Sequence, residues 1–258
     1  MSTQFRRPLS IVILAAGKGK RMNNPNLPKV LVELDSKPLL VHVLDQAQKL
    51  HPNKIAIVVG HMKEKVIDHV GSLSWNNIEF VNQDEQLGTG HAVDMARPTL
   101  ENFEGDTLIL LGDVPLLRYE TLQKFITKHV ESSADLSVLS ATTIDPTGYG
   151  RIVRDSESNF LKITEHKDCT EEELKVDEIN SGIFCVNNQK LFSALSRVSN
   201  NNAQGEYYLT DIVELIKNDG GNVFAEPAAS FDELQGINSM DDLERAEKYY
   251  NEHIKPMK

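Results

Sequence analysis

Gly17-Lys18-Gly19-Lys20-Arg21 is the first place in the chain where residue types and spacing point to chemistry. Glycines let a backbone close on a ligand. Successive amide N–H groups in such a loop form an anion nest, and Lys and Arg add charge. Phosphate is the expected guest; a solvated turn is the plainer alternative. Two familiar phosphate loops do not fit. A dinucleotide fingerprint needs a third Gly three residues after Gly19, where Met22 stands. A P-loop would place its Gly-Lys-Ser/Thr five residues after Gly17, again at Met22. The loop therefore indicates phosphate without indicating a dinucleotide or hydrolysis of a γ-phosphate.

Asp113, in "LLGDVPL", ends a second apolar run beside Gly112. A carboxylate there is placed to hold a divalent cation, since Mg²⁺ takes one or two protein oxygens and fills the rest with water and phosphate. It is equally placed to cap a helix or make a turn. "QLGTGHA", residues 86–92, sets a flexible loop before a helix; its amides are suited to a flat polar base, with Gly88 allowing close approach. His91 has no second ligand at metal spacing and reads as an orienting residue. "DPTGYGR" (145–151), Glu165 and Asn180 each have an ordinary reading as a turn, a solvated charge and a turn Asn. No Ser/His/Asp or Cys/His arrangement accompanies them.

The elements around these residues follow from hydrophobic periodicity. "LSIVIL" predicts a buried strand and "VLVEL", after Lys29, a short extended piece. Pro38 stands where a first helical position belongs, and Leu40, Val43, Leu44 and Ala47 at helical spacing predict a core-facing helix over 38–50. Strands are expected at 54–60, 78–81 and 107–113. Helices are expected at 62–70, from Gly88 to about Arg97, and at 119–130. This alternation predicts an α/β fold with a Rossmann-like, mostly parallel sheet and helices on both faces. The three candidate loops then all fall at the carboxyl ends of strands, where such sheets bind ligands. From about residue 135 four strands divided by polar turns predict a small antiparallel extension closing over a ligand. A helix at 188–198, a helix from Thr210, a strand "NVFAEP" and a last helix capped by Ser239 complete the chain. We expect one domain over 1–258: a nucleotide part to 132, a second part over 133–238, and a C-terminal helix.

Composition narrows the function classes. Hydrophobic residues make up 40% and charged residues 25%, ordinary for a globular chain of 258 residues. Cys169 and Cys185 lie in no metal or redox spacing, which predicts a reducing cytoplasm and no disulfide. The run from Ile11 to Ala16 is too short for a signal or membrane segment. The net charge of −11 argues against a nucleic-acid surface. Arg6, Arg7, Lys18, Lys20, Arg21 and Lys29 all precede the first acid, Glu33, so a basic loop sits on an acidic body and can focus a small anion.

Taken in order, "ILAAGKGKRM…LPKVL", "EQLGTGHA", "GDVPL", "DPTGYGRIVR", "EHKD", "EINSGI" and "NNNAQGEYYLTDI" closely resemble the bacterial N-acetylglucosamine-1-phosphate uridylyltransferases, over about residues 9 to 250. The first block is shared by many sugar-nucleotide transferases; "DPTGYGR" and "NNNAQGEYYLTDI" are more particular. The resemblance implies a nucleotide-diphospho-sugar transferase fold and the joining of UTP to N-acetylglucosamine 1-phosphate, with Mg²⁺ as cofactor and pyrophosphate released. It implies that Leu14, Ala15, Ala16 and Gly17 line the nucleotide, that Leu111 and Gly112 belong to the substrate-binding set, and that Arg21 and Lys29 are catalytic cations on the nucleotide phosphates. Gln83, Gly88 and Thr89 would read uracil. Asp113 and Asn238 would hold the metal. Gly150, Glu165, Asn180, Tyr208 and Thr210 would bind the aminosugar phosphate. The alternatives are a transferase for another sugar 1-phosphate and a non-catalytic sugar-nucleotide sensor. The sensor would be expected to have lost a metal ligand or a phosphate cation, and none of these is missing here. Leu111 departs from the polar or aromatic residue usual there and offers only packing. The hexapeptide repeats of an acetyltransferase β-helix do not occur in the chain, so acetyl transfer and the trimer contacts of such a helix are not expected of it.

Overall fold

The computed structural model describes residues 7–22, 26–228 and 230–255. Arg6, counted above with the basic N-terminal residues, lies outside them. In chain order the elements are β1 (Leu9–Ala15), a ribbon of β2 (Glu33–Leu34) and β3 (Lys37–Pro38), α1 (Leu39–Gln48), β4 (Lys54–Val59), α2 (Lys63–Gly71) and β5 (Ile78–Asn82). Next come α3 (Thr89–Asp94), α4 (Arg97–Leu100), β6 (Asp106–Leu111), α5 (Tyr119–Glu131), β7 (Leu136–Thr142), β8 (Arg151–Arg154), β9 (Phe160–Thr164) and β10 (Glu178–Asn187). The chain continues through α6 (Asn188–Leu195), α7 (Ile212–Asn218), β11 (Val223–Pro227) and α8 (Met240–Tyr249).

A single sheet runs β11-β7-β10-β6-β1-β4-β5, with β8 and β9 attached beside β10. β5, β4, β1 and β6 are mutually parallel. β1 is central, so both its faces must be covered, and its apolar run is continuous for that reason. Ile11, Ile13 and Ala15 face one core layer with α1, α2 and α5. Val12 and Ala16 belong to the opposite layer with α3, α6 and α7. The alternation is the two-residue period of a strand. A third cluster fastens α8 to the site: Leu243 and Ala246 pack with Met22, Leu34, Leu39, Leu116 and Ile237. Among the described residues no helix is long and apolar enough to cross a membrane.

The mostly parallel sheet, the helices on both faces and the antiparallel extension agree with the sequence reading, but several boundaries differ. Lys29–Leu31 form a 3-10 turn with Val30 and Leu31 buried, so the extended piece begins at Val32 and its paired strand is Glu33–Leu34. Pro38 is itself extended (φ −55°, ψ 143°), so α1 starts one residue later. The helix expected from Gly88 to Arg97 stops at Asp94. A short second one begins at Arg97 with Pro98 in its first turn, where a missing N–H costs nothing. α6 ends at Leu195, and α7 starts at Ile212 after a 3-10 turn over Leu209–Asp211. Ser239 does cap α8, accepting a hydrogen bond from the Asp242 amide.

Candidate active site

β10 runs antiparallel to β6, so its first residues arrive at the carboxyl end of β6. There the Leu111 side chain packs against Gly182, whose φ of 79° suits glycine and where a Cβ would lie 2.8 Å from Leu111 Cδ1. The Gly112 amide donates to Leu14 O at 2.9 Å, and the chain then turns out of the sheet at Asp113. Two cavities open at this edge, and Leu111 and Asp113 line both.

The first, of about 340 Å³, is lined by Leu14, Ala15, Ala16, Gly17, Lys29, Gln83, Gly88 and Thr89. Gln83 is buried, and its amide nitrogen contacts Gly88 O at 3.2 Å and His91 Nδ1 at 3.0 Å. His91 therefore orients Gln83. Gly88 has φ 120°, and a Cβ there would lie 2.5 Å from Tyr207 O. The close approach is fixed on both sides, by Tyr207 N to Leu87 O and Gly90 N to Tyr207 O, each 2.8 Å. Leu209 N also donates to Thr89 Oγ1 at 3.1 Å. "QLGTGHA" and "GEYYLTD" are thus one structure, although more than a hundred residues separate them.

The second cavity, of about 570 Å³, takes in Arg21, Gly150, Glu165, Asn180 and Asn238. Arg21 and Lys29, expected together on the nucleotide phosphates, line different cavities. Sequence reasoning missed Tyr149, Phe231, Gln235, Asp242 and Arg245 on this wall. Tyr149 stacks edge-on against Phe231 with centroids 5.6 Å apart. Asp242 and Arg245 share a helical face, but a surface ion pair on a polar helix carries no signal of its own.

Tyr208 and Thr210 do not line the cavity; they stand behind it. Thr210 Oγ1 donates to Glu165 Oε1 at 3.1 Å. Burial pushes the Glu165 carboxyl above the usual range; the Thr210 bond opposes this, and Asp211, Asp168 and Glu206 add to it. Tyr208 donates to Asp168 Oδ2 at 3.0 Å, and burial first, with that carboxylate, raises its phenol to about 12.

At the shared edge three side chains converge. Lys29 Nζ donates to Asn238 Oδ1 at 2.8 Å and to the Asp113 carboxylate. Asp113 O accepts from Ile237 N at 2.9 Å, and Asp242 Oδ2 accepts from Asn238 N at 2.9 Å. The N-terminus of α8 therefore delivers Asn238 to Asp113. Asp113 caps no helix, because α5 opens at Arg118–Tyr119. The two oxygens already surround a cation, the Lys29 ammonium. A carboxylate plus an amide oxygen is also the hard, sparse donor set that suits Mg²⁺ completed by phosphate and water.

With this geometry in view, three sets of similarities bear on the chain. The family described as the MobA-like NTP transferase domain matches residues 11–175. Among curated proteins, the bifunctional protein GlmU of Geobacillus thermodenitrificans is 48% identical over 243 residues, covering 94% of this chain and 52% of that protein. The GlmU of Bacillus cereus (strain G9842) is 48% identical over 236 residues, covering 92% and 50%. The chain spans about half the length of these relatives. Among solved structures, a UDP-glucose pyrophosphorylase complexed with UDP-glucose superposes with a TM-score of 0.75 at 16% identity, covering 95% of this chain and 99% of that one. A putative glucose-1-phosphate thymidylyltransferase from Bacillus anthracis, in complex with a sucrose, gives 0.74 at 17% identity, covering 97% and 98%. At such identities these structures establish the fold.

Proposed function

The chain belongs to the family of MobA-like NTP transferase domains, and from that premise we propose that it transfers the uridylyl group of UTP to N-acetylglucosamine 1-phosphate. UDP-N-acetylglucosamine and pyrophosphate are the products. The observation that carries the reading is the pair of cavities meeting at Leu111 and Asp113. One is the smaller and lies beside a glycine loop. The other is larger and lined mainly by polar groups, and the reacting phosphates would lie where the two join.

The chemistry asks little of the protein beyond placement. The sugar phosphate is largely a dianion at neutral pH, since its second pKa is about 6, so its oxygen needs no general base. That oxygen forms a bond to the α-phosphorus of UTP, and the bond from the α-phosphorus to the bridging oxygen breaks with pyrophosphate leaving in line. Gln83, Gly88 and Thr89 read the base, while the Leu14–Gly17 backbone follows the nucleotide. Lys29 and Arg21, one from each cavity, bring positive charge to the reacting phosphates from two sides. Asp113 and Asn238 would hold Mg²⁺, which when bound supplies Lewis-acid neutralisation of phosphate oxygens. Gly150, Glu165 and Asn180 hold the aminosugar, with Thr210 fixing Glu165 and Tyr208 fixing Asp168 behind it. Both thiols are free, in keeping with a cytoplasmic setting.

The test is to mix UTP, N-acetylglucosamine 1-phosphate and Mg²⁺ and measure pyrophosphate, with glucose 1-phosphate in parallel. Preferred turnover of the N-acetylated sugar is expected. Preference for another sugar phosphate would reassign the substrate. Binding of UDP-N-acetylglucosamine without turnover of any pair would make the chain a sensor.

A further inference from the structure

The cation position between the two cavities is filled by the protein's own side chain. Lys29 Nζ holds Asp113 and Asn238 Oδ1, the same two oxygens assigned to the metal. An ammonium and a divalent ion cannot both sit on them, because the ion needs its ligands at about 2.0–2.1 Å and the two positive charges repel. Nor is this a loose surface pair: the Lys29 side chain is 12% exposed and that of Asp113 is 18%.

We propose that Lys29 is a built-in counter-cation that keeps the Asp113–Asn238 pair closed to a free divalent ion. The lysine yields the pair only to a metal that arrives as the chelate of a nucleoside triphosphate. This rests on the reading of Asp113 and Asn238 as metal ligands.

A displaced ammonium needs a new partner. A free divalent ion would take the carboxylate and leave a largely covered ammonium beside a dication with no partner, an arrangement strongly disfavoured at low local dielectric. A metal–triphosphate chelate is still an anion and brings phosphate oxygens for the ammonium. The geometry is set for that exchange. Lys29 lines the nucleotide cavity, and among the described residues lining it Lys29 is the one cation. Its backbone is fixed: Val30 and Leu31 are buried, and the Gly19 backbone lies against Lys29 Cβ. The three carbons beyond Cβ can therefore swing the ammonium between the Asp113 oxygens and the nucleotide cavity while the root of the side chain stays in place. Metal and nucleotide then enter as a unit, and the same ammonium that guarded the site meets the phosphates.

The experiment titrates Mn²⁺ into the nucleotide-free protein and follows bound metal by water-proton relaxation, with thermal melting as a check on folding. Lys29→Met and Lys29→Gln are expected to bind one Mn²⁺ at least about tenfold more tightly than the parent, and Lys29→Arg to stay as weak as the parent. Adding Asp113→Asn to Lys29→Met should abolish the gain. In the parent, UTP should bring Mn²⁺ onto the protein. If the neutral variants bind Mn²⁺ no more tightly than the parent, while Asp113→Asn still removes the UTP-dependent metal, the exchange is overturned and the metal assignment survives. If Asp113→Asn leaves UTP-dependent Mn²⁺ unchanged, the metal reading fails and this proposal falls with it.

Discussion

Asp113 touches more of the proposed chemistry than any other side chain, because both cavities border it and Lys29 depends on it. Asp113→Ala is expected to lower Mg²⁺-dependent pyrophosphate release by about 10²- to 10³-fold, the usual scale for removing one preorganised charge-stabilising group. Full Mg²⁺-dependent release from the variant would refute the assignment. Asp211 offers a separate test through pH. Burial first, then Glu214 and Asp168, raise its carboxyl from 3.8 to about 6. A raised acid favours the folded state below its unfolded value, and that contribution is lost as pH rises through about 6. Above pH 6 the ionised group is therefore a net cost. Asp211→Asn should stabilise the protein by about 1 kcal/mol at pH 7.5, discounted for partial exposure, with no gain at pH 4. Melting curves at the two pH values decide it; an equal effect at both would place the cause in packing.

At the scale of elements, the sequence announced its strands and helices because most are amphipathic or fully apolar with clear punctuation. "LSIVIL" and "TLILLGD" are legible as buried strands because parallel neighbours cover both faces. What stayed hidden depends on contacts distant in sequence. No local pattern tells that Tyr207 clamps Gly88, that α8 carries Asn238 to Asp113, or that Lys29 and Arg21 face different cavities. The family resemblance supplied many residues of the candidate site but not Phe231, Gln235 or Arg245 on its wall, and the structure supplied the grouping. Two elements can be tested. Gly88→Ala would put a Cβ 2.5 Å from Tyr207 O at φ 120°, so it should raise the KM for UTP at least about tenfold while the KM for the sugar phosphate changes less. An equal rise in both would mean that the loop serves no one substrate. Ser239→Ala removes the cap of α8, at a cost of about 1 kcal/mol, and loosens Asn238. The Mg²⁺ concentration giving half-maximal rate should rise more than the rate at saturating Mg²⁺ falls. A purely structural cap would lower stability without moving the Mg²⁺ requirement.

At the scale of the whole molecule, the two expected parts of the chain, 1–132 and 133–238, are not separable bodies. β10, from the second part of the chain, pairs directly with β6 through Phe184↔Ile109 and Cys185↔Leu108. Phe184 and Ile109 lie in one core layer, Cys185 and Leu108 in the other. Opening the seam between β6 and β10 would expose both layers at once, which couples the two sides. The only tryptophan, Trp75, packs against the layer that contains Leu108 and Cys185, and lies in the first part of the chain. Its fluorescence and the far-UV signal of the entire chain should therefore report one coincident denaturant transition. UDP-N-acetylglucosamine, which would reach into both cavities, should raise that single transition as a whole. At about a hundred times its Kd the added stability is about 2.7 kcal/mol, a rise of roughly 5–10 °C for a chain of this size. If the tryptophan signal melted first and the ligand moved only that phase, the two sides would be independent units, and the shared edge at Leu111 and Asp113 would be a hinge between them.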